Sequence, residues 1–171
     1  MSDITPPPPP ASPAPSAGGL PPAIANLSND TLEWAKVGGG AVAAISTFLP
    51  WFSIHLEFFG QSIGGGSYNG FNWNGFWGFV LLLLGLAVAF LAFVKVRNVQ
   101  IQGLDKLPPA LPFLLAAALG VIALWAFIDV MSNTSALVSS GIGIWLTFLG
   151  ALVAVAAAAL PVVKNKGLPK A

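Results

Sequence analysis

Four apolar stretches, separated by polar or glycine-rich segments, dominate the pattern along the chain. They cover roughly residues 35–54, 73–94, 109–131 and 141–163. Each is close to the ~20 residues that a helix needs to cross a hydrocarbon core about 30 Å thick. Lipid cannot satisfy open backbone groups, so a helix is the default conformation for such stretches. The pattern therefore predicts an all-α membrane protein, folded as a four-transmembrane-helix bundle.

The basic residues all fall on one side of this predicted bundle. The chain contains seven Lys and Arg in total: Lys36, Lys95, Arg97, Lys106, Lys164, Lys166 and Lys170. The two segments that would face the other side contain neither residue type. Because cytoplasmic loops collect Lys and Arg, we predict a multi-pass protein of the plasma membrane with cytoplasmic N- and C-termini.

Composition supports a membrane protein and narrows its partners. Charged residues make up only 8% of the chain and apolar residues 56%, far from the balance of a soluble domain. The lipid bilayer is therefore the expected partner. A net charge of +1 and the lack of a long basic run predict no nucleic-acid partner. The absence of Cys excludes disulfides and thiolate chemistry.

The chain divides into three predicted regions. Residues 1–27 form a Pro-rich arm, and proline blocks helix and sheet by fixing φ and removing a donor. We therefore predict a disordered cytoplasmic arm, followed by a transmembrane domain over 28–163 and a basic cytoplasmic tail over 164–171. Pro-rich arms can dock aromatic grooves, but no Lys or Arg flanks these prolines, so a solvated tail is favoured.

The segment after the first stretch has the alternation of a strand. Apolar side chains alternate with polar ones with a period of two, which is typical of a half-buried strand: Phe52, Ile54, Leu56 and Phe58 against Ser53, His55 and Glu57. Phe59-Gly60 could turn the chain, and Gln61–Tyr68 could return as a partner strand. We predict a short extracytoplasmic β-hairpin between helices 1 and 2. Its apolar face should pack on the outer helix ends, with the polar face toward water.

Small residues at a spacing of four recur in the predicted helices. Gly40 and Ala44 form such a pair, and Gly85 and Ala89 form another. Small residues let helix backbones approach closely within a membrane. We favour packing seams within the bundle, while contact with other membrane proteins through these faces is the open alternative. At the start of the first helix, Asp30 and Glu33 are placed as a capping-box-like pair.

Candidate chemistry is sparse. His55 and Glu57 share one strand face and could hold a metal or relay a proton, but metal sites usually need three or four ligands. Asp129 lies near the outer end of the third helix, where an acid reaching water is favoured over a binding or coupling role. No ionisable residue lies in the inner part of any predicted helix, where solute pathways usually place one. We therefore predict no enzyme and no catalytic, cofactor-binding or metal site.

Short motifs suggest one family resemblance. Leu49–Ser53, Asn69–Phe71 and Gly75–Gly78, together with the Pro-rich arm, resemble uncharacterised small four-helix membrane proteins of actinobacteria. This resemblance implies a fold and no activity. The spacing of Trp51 and Asn74–Trp77 also resembles the claudin loop signature, but claudins have two cysteines after it and this chain has none. We reject that second match.

Two functional hypotheses follow from these patterns. The first is a non-enzymatic accessory, scaffold or envelope-associated component of the membrane. The alternative is a small transporter or lipid-handling protein, which would need a polar cavity. The only polar candidates for such a cavity are Ser46, Thr47, Asn72, Asn74 and Asp129. A pocket lined by these residues would favour the alternative, and a tightly filled bundle would favour the first hypothesis.

Overall fold

A computed structural model describes residues 27–59, 61–135 and 137–167 of the chain. Its long helices are α1 (Asn29–Ile45), α2 (Gly75–Val96), α3 (Leu111–Ser132) and α4 (Ile142–Gly167). Its strands are β1 (Pro50–Phe58), β2 (Gln61–Asn69) and β3 (Val138–Ser140). A single-turn helix over Gly70–Trp73 precedes α2. The predicted N-terminal arm, apart from Leu27, and the end of the basic tail lie outside the described residues.

Three helices are long and apolar enough to cross a membrane. They are α2, α3 and the Ile142–Lys164 part of α4, with mean hydropathies of 2.7, 2.4 and 2.4. Their outward faces carry large apolar side chains that are about half exposed or more, among them Phe79, Leu83, Phe90, Val121 and Leu152. Soluble monomers rarely expose so much contiguous apolar surface. Length, hydropathy and exposed surface together define a helical, membrane-embedded protein.

The first helix is shorter than predicted. The sequence predicts a span over 35–54, whereas α1 ends at Ile45 and has 17 residues. A 3₁₀ turn follows over Ser46–Phe48, and β1 begins at Pro50. The residue before a proline is driven to extended conformations, which prevents the helix from continuing. Among the described residues, length and hydropathy thus support three spans where the sequence predicts four.

The start of α1 also differs from the prediction. Its N-cap is Ser28, whose Oγ accepts a hydrogen bond from the Thr31 N–H at 3.1 Å, so the placement of the cap at Asp30 is wrong. Glu33 instead pairs with two lysines. Lys36 Nζ lies 2.6 Å from Glu33 Oε2, and Lys95 Nζ lies 2.7 Å from Glu33 Oε1. The second pair links α1 to α2, and we call this end of the bundle the charged end.

Glycine residues of α1 bring it into backbone contact with two other helices. A Cβ added at Gly40 would lie 2.7 Å from the Gly85 carbonyl oxygen of α2. One added at Gly39 would lie 2.6 Å from the Gly150 carbonyl oxygen of α4. The favoured interpretation of these small residues as seams within the bundle is therefore confirmed. Contact with other membrane proteins stays a prediction for the helix faces that remain exposed.

A three-stranded sheet covers the opposite end, which we call the sheet end. The strand order is β2-β1-β3, and β1 is antiparallel to both neighbours. The predicted hairpin is confirmed, with Phe52 opposite Tyr68. β3 was not predicted, because three residues are too few to show a period of two. β3 pairs with β1, with Ile54 opposite Val138. This pairing joins the loop between α3 and α4 to the segment between α1 and α2.

Candidate functional site at the sheet end

Trp51 fixes the sheet to the bundle. Its side chain is fully buried, and its Nε1 donates a hydrogen bond to the Ser46 carbonyl at 3.0 Å. Two glycines leave room for the ring. A Cβ at Gly70 would lie 2.8 Å from Trp51 Cε2, and one at Gly143 would lie 2.7 Å from Trp51 Cδ1. The sequence placed Trp51 only within the first apolar stretch, whereas in the fold it anchors β1.

Four tryptophans form a connected cluster beneath the sheet. The Trp73 ring centroid lies 5.5 Å from that of Trp51 and 5.3 Å from that of Trp125. Trp77 continues the cluster, with its ring centroid 5.4 Å from that of Trp125. Aromatic pairs in such tilted or edge arrangements each contribute about 0.5–1.5 kcal/mol beyond their buried area. Trp73 is therefore held in a defined orientation from two sides.

Asparagines hold the backbone that carries Trp73. Asn69 Oδ1 accepts hydrogen bonds from the N–H groups of Phe71 and Asn72, at 3.1 and 3.2 Å. Asn72 Oδ1 accepts from the Asn69 N–H at 3.3 Å, which completes a capping box. Asn74 caps α2 through the Trp77 N–H at 3.5 Å. Asn72 and Asn74, two candidates for a polar cavity, thus serve as helix caps.

Ser46 and Thr47, the two candidates for a polar cavity that carry hydroxyls, also make hydrogen bonds within the fold. Ser46 Oγ lies 2.7 Å from Thr147 Oγ1 of α4, and Thr47 Oγ1 donates to the Ala44 carbonyl at 2.7 Å. Thr147 Oγ1 also donates to the Gly143 carbonyl at 2.9 Å. All three hydroxyls are buried and hydrogen-bonded. They line no polar cavity in the described part of the bundle.

Asp129 is the candidate that reaches a pocket. Trp73 Nε1 donates to Asp129 Oδ2 at 2.7 Å, which links the single-turn helix to α3. The backbone carbonyl of Asp129 accepts from Asn133 Nδ2 at 2.7 Å and from Ser132 Oγ at 2.9 Å, closing the last turn of α3. The carboxylate is partly buried. Its partial exposure is compatible with the favoured interpretation of a helix-terminal acid that reaches water, but the sequence did not predict its hydrogen bond with Trp73.

An open pocket of about 370 Å³ lies between β1, β3, the end of α3 and Trp73. We call it the sheet-end pocket. Its lining is mainly apolar, with Asp129 and Asn133 as the polar side chains: Phe52, Ile54, Trp73, Asp129, Val130, Asn133 and Val138. No local sequence signal joins these residues, because they come from four separate segments of the chain.

His55 and Glu57 take no part in this pocket. His55 is exposed on β1, its Nε2 lies 3.3 Å from Ser139 Oγ, and it is not among the pocket-lining residues. The Glu57 side chain lies outside the described part of the structure, so its pairing with His55 stays a hypothesis. Within the described residues, no group of three or more His, Cys, Asp or Glu side chains is placed to hold a metal ion.

The apolar face of β1 packs only in part. Phe52 stacks on Tyr68 with ring centroids 5.1 Å apart, and Ile54 lines the sheet-end pocket. Leu56 lies farther along the strand and is 44% exposed, against the prediction that it packs on the helix ends. The hairpin continues past its contact with the helices, so the alternation identifies the strand but not the point where burial ends.

Comparison of the sequence with protein-family models and curated proteins gives no family for this chain. No protein-family model matches the chain, and no curated protein matches it. The resemblance to actinobacterial membrane proteins therefore stays a prediction. Function has to be argued from the geometry of the bundle and of the sheet-end pocket.

Proposed function

We propose that this protein is a non-enzymatic accessory, scaffold or envelope-associated component of the membrane. The observation that carries the proposal is the backbone contact of α1 with α2 and α4 at Gly40 and Gly39. Helices that touch through their backbones leave no room for a solute path between them. The sheet, in contrast, is anchored by the buried Trp51 and has exposed side chains such as Leu56, which supports a role in binding another protein.

The proposal includes four membrane-crossing helices, in which α1 crosses the membrane together with α2, α3 and α4. At about 1.5 Å per residue, the 17 residues of α1 extend ~26 Å, and the 3₁₀ turn that follows adds ~6 Å. Together they are slightly longer than the hydrocarbon thickness of about 30 Å. The charges of Glu33 and Lys36 pair with each other at the charged end, which lowers the cost of placing them near lipid. The segregation of Lys and Arg then puts both termini in the cytoplasm of a plasma-membrane protein.

Reporter fusions test this topology. Fusions at Ala171 and beside Gln102 should both give cytoplasmic signals, while an insertion after Gln61 in the hairpin should give an extracytoplasmic one. The reason is the absence of Lys and Arg from the loops of the sheet end. Activities of paired reporters, one active only in the cytoplasm and one only outside it, provide the measurement. A cytoplasmic signal at Gln61, or opposite signals at Ala171 and Gln102, would contradict the four-helix arrangement.

The edge strand β2 is the surface that best suits a protein partner. It pairs on one side with β1 and has no second neighbour among the described strands. It has neither Pro nor charged residues, which natural proteins use to block sheet edges. The run Gly64–Gly66 also leaves the backbone accessible. A partner that adds a strand at this edge would bind mainly through main-chain hydrogen bonds.

Co-purification in a mild detergent, followed by mass spectrometry, tests the accessory role. We expect a stable protein partner that is lost from Gly64→Glu and retained by Gly75→Glu. Both glycines are exposed, and a Cβ at either meets nothing closer than 3.9 Å, so both variants should fold. Only the first places a charge on the β2 edge. Absence of any partner from the wild-type preparation, or equal loss from both variants, would argue against this role.

A second candidate function is supported by the sheet-end pocket. A small transporter or lipid-handling protein would need a polar cavity, and one of the polar candidates, Asp129, does line this otherwise largely apolar pocket. The hydroxyls of Ser46 and Thr147 are buried and hydrogen-bonded to each other. This argues against a polar path that continues from the pocket into the bundle. Cargo would therefore be bound at the sheet end and handled along the surface of the protein.

A further inference from the structure

The Asp129 carboxylate carries a negative charge that the described chain does not neutralise. Trp73 Nε1 satisfies Oδ2, and no described residue donates to Oδ1. The segments 51–74 and 132–141, which form this end of the protein, contain no Lys or Arg. A carboxylate partly removed from water favours a paired cation, since burying an isolated charge is costly.

The walls around this carboxylate suit an organic cation. The rings of Trp73 and Phe52 line the pocket, and cations are attracted to the faces of aromatic rings. Trp73 is oriented by its contacts with Trp51 and Trp125, so its ring is in place before a ligand arrives. The remaining wall is mostly aliphatic, and a cavity of about 370 Å³ is within the size range of small-molecule sites.

We propose that the sheet-end pocket binds an organic ammonium ion, with its cationic nitrogen at Asp129 and its apolar body against the aliphatic wall. A bare metal ion fits less well, because hard cations require several oxygen ligands and the lining supplies only the Asp129 carboxylate and the Asn133 amide. The proposal names a ligand class for the lipid-handling candidate. It does not depend on the accessory role and could hold alongside it.

The ammonium group has two chemical sources near a membrane surface. It could belong to the headgroup of an aminophospholipid, or it could be a free aliphatic amine. The lipid and the free amine place the same charged group at Asp129. They differ because the lipid also has two acyl chains, which remain in the bilayer. The experiment therefore begins with a soluble probe and then compares lipids.

Isothermal titration of the purified full chain in a non-ionic detergent tests the shared chemistry. Hexylammonium is the probe, and 1-hexanol is its neutral counterpart of equal chain length. We expect wild-type protein to bind hexylammonium at least tenfold more tightly than hexanol. Asp129→Asn should bind hexylammonium about tenfold or more weakly than wild type, since it removes the charge but keeps an oxygen that can accept from Trp73. Equal affinity of wild type for the two probes would overturn the proposal.

Asp30→Asn is the matched control. Asp30 is an exposed carboxylate in the first turn of α1, so this variant loses the same charge at the opposite end. Its affinity for hexylammonium should equal that of wild type. An equal loss in both variants would overturn the pocket and indicate a general charge effect. If Asp129→Asn fails to fold, the wild-type comparison of hexylammonium with hexanol still decides the proposal.

Native mass spectrometry then separates the two sources. The protein is incubated with phosphatidylethanolamine or with phosphatidylglycerol, which lacks an ammonium group. Retention of phosphatidylethanolamine by wild type, with its loss from Asp129→Asn, would support the pocket and identify a lipid headgroup. Equal retention by both proteins, with hexylammonium binding still dependent on Asp129, would support the pocket with a free amine. Failure of hexylammonium binding overturns the pocket without affecting the tests of topology or of the accessory role.

Discussion

Gly40→Ala will destabilise the bundle by about 3 kcal/mol, through overpacking of the contact between α1 and α2. The added Cβ would lie 2.7 Å from the Gly85 carbonyl oxygen and 2.9 Å from the Ala89 backbone nitrogen. Both are backbone atoms, so no side-chain rotation can relieve the clash, and the two helices must separate. Thermal unfolding of the purified variant in detergent should show a clear drop in Tm relative to wild type.

Gly38→Ala provides the control for this substitution, because it makes the same chemical change two residues away. A Cβ at Gly38 meets nothing within 4 Å. Alanine also favours a helix over glycine by up to about 1 kcal/mol. The Tm of this variant should be equal to or above that of wild type. If Gly38→Ala and Gly40→Ala lowered Tm equally, the close approach of α1 to α2 at Gly40 would be wrong.

Trp51→Ala will have the second large effect, a loss of about 3–5 kcal/mol in the free energy of unfolding. The substitution removes a fully buried ring, leaves a cavity beside Gly70 and Gly143, and removes the hydrogen bond from Trp51 Nε1 to the Ser46 carbonyl. Because Trp51 anchors β1, the sheet should loosen before the helices separate. Unfolding in detergent and protease cleavage within the hairpin should both detect the change, with cleavage much faster than in wild type.

Trp34→Ala is the matched control for that experiment. Trp34 is 49% exposed and makes an edge contact with Phe93, with ring centroids 6.5 Å apart. Its removal should cost only about 1 kcal/mol, as expected for one exposed aromatic pair. Cleavage within the hairpin should stay at the wild-type rate. Similar losses from both tryptophans would indicate that β1 is not fixed through Trp51.

The sequence determined the features that depend on local pattern. Long apolar runs identified α2, α3 and α4 to within a few residues, because a helix in lipid must satisfy all its backbone groups internally. The period of two identified β1 and its partner β2, since successive strand residues face opposite sides. The spacing of Gly40 and Ala44 identified a packing seam, because only small residues allow such close approach.

Local pattern was less reliable at the ends of elements. The apolar character that extends to residue 54 does not distinguish a helix from the buried start of a strand, so the end of α1 at Ile45 was missed. Asp30 and Ser28 are both suitable N-caps by residue type, and only the hydrogen bond to Thr31 separates them. Glu33 fitted the capping-box pattern by its spacing from Asp30. In the fold it forms ion pairs instead, with Lys36 in its own helix and with Lys95 of α2.

Only the tertiary structure decided the site. Trp73, Asp129 and Val138 belong to distant segments, and no single-sequence pattern states which distant segments meet. Asp129 was predicted as a helix-terminal acid that reaches water, and its hydrogen bond from Trp73 Nε1 at 2.7 Å depends on the position of the single-turn helix. Trp51 became an anchor only because Gly70 and Gly143 leave space for its ring. Hydropathy and residue spacing are properties of a continuous segment, so the sequence alone indicates the class of protein. A pocket depends on contacts between distant segments, so only the fold reveals the candidate site.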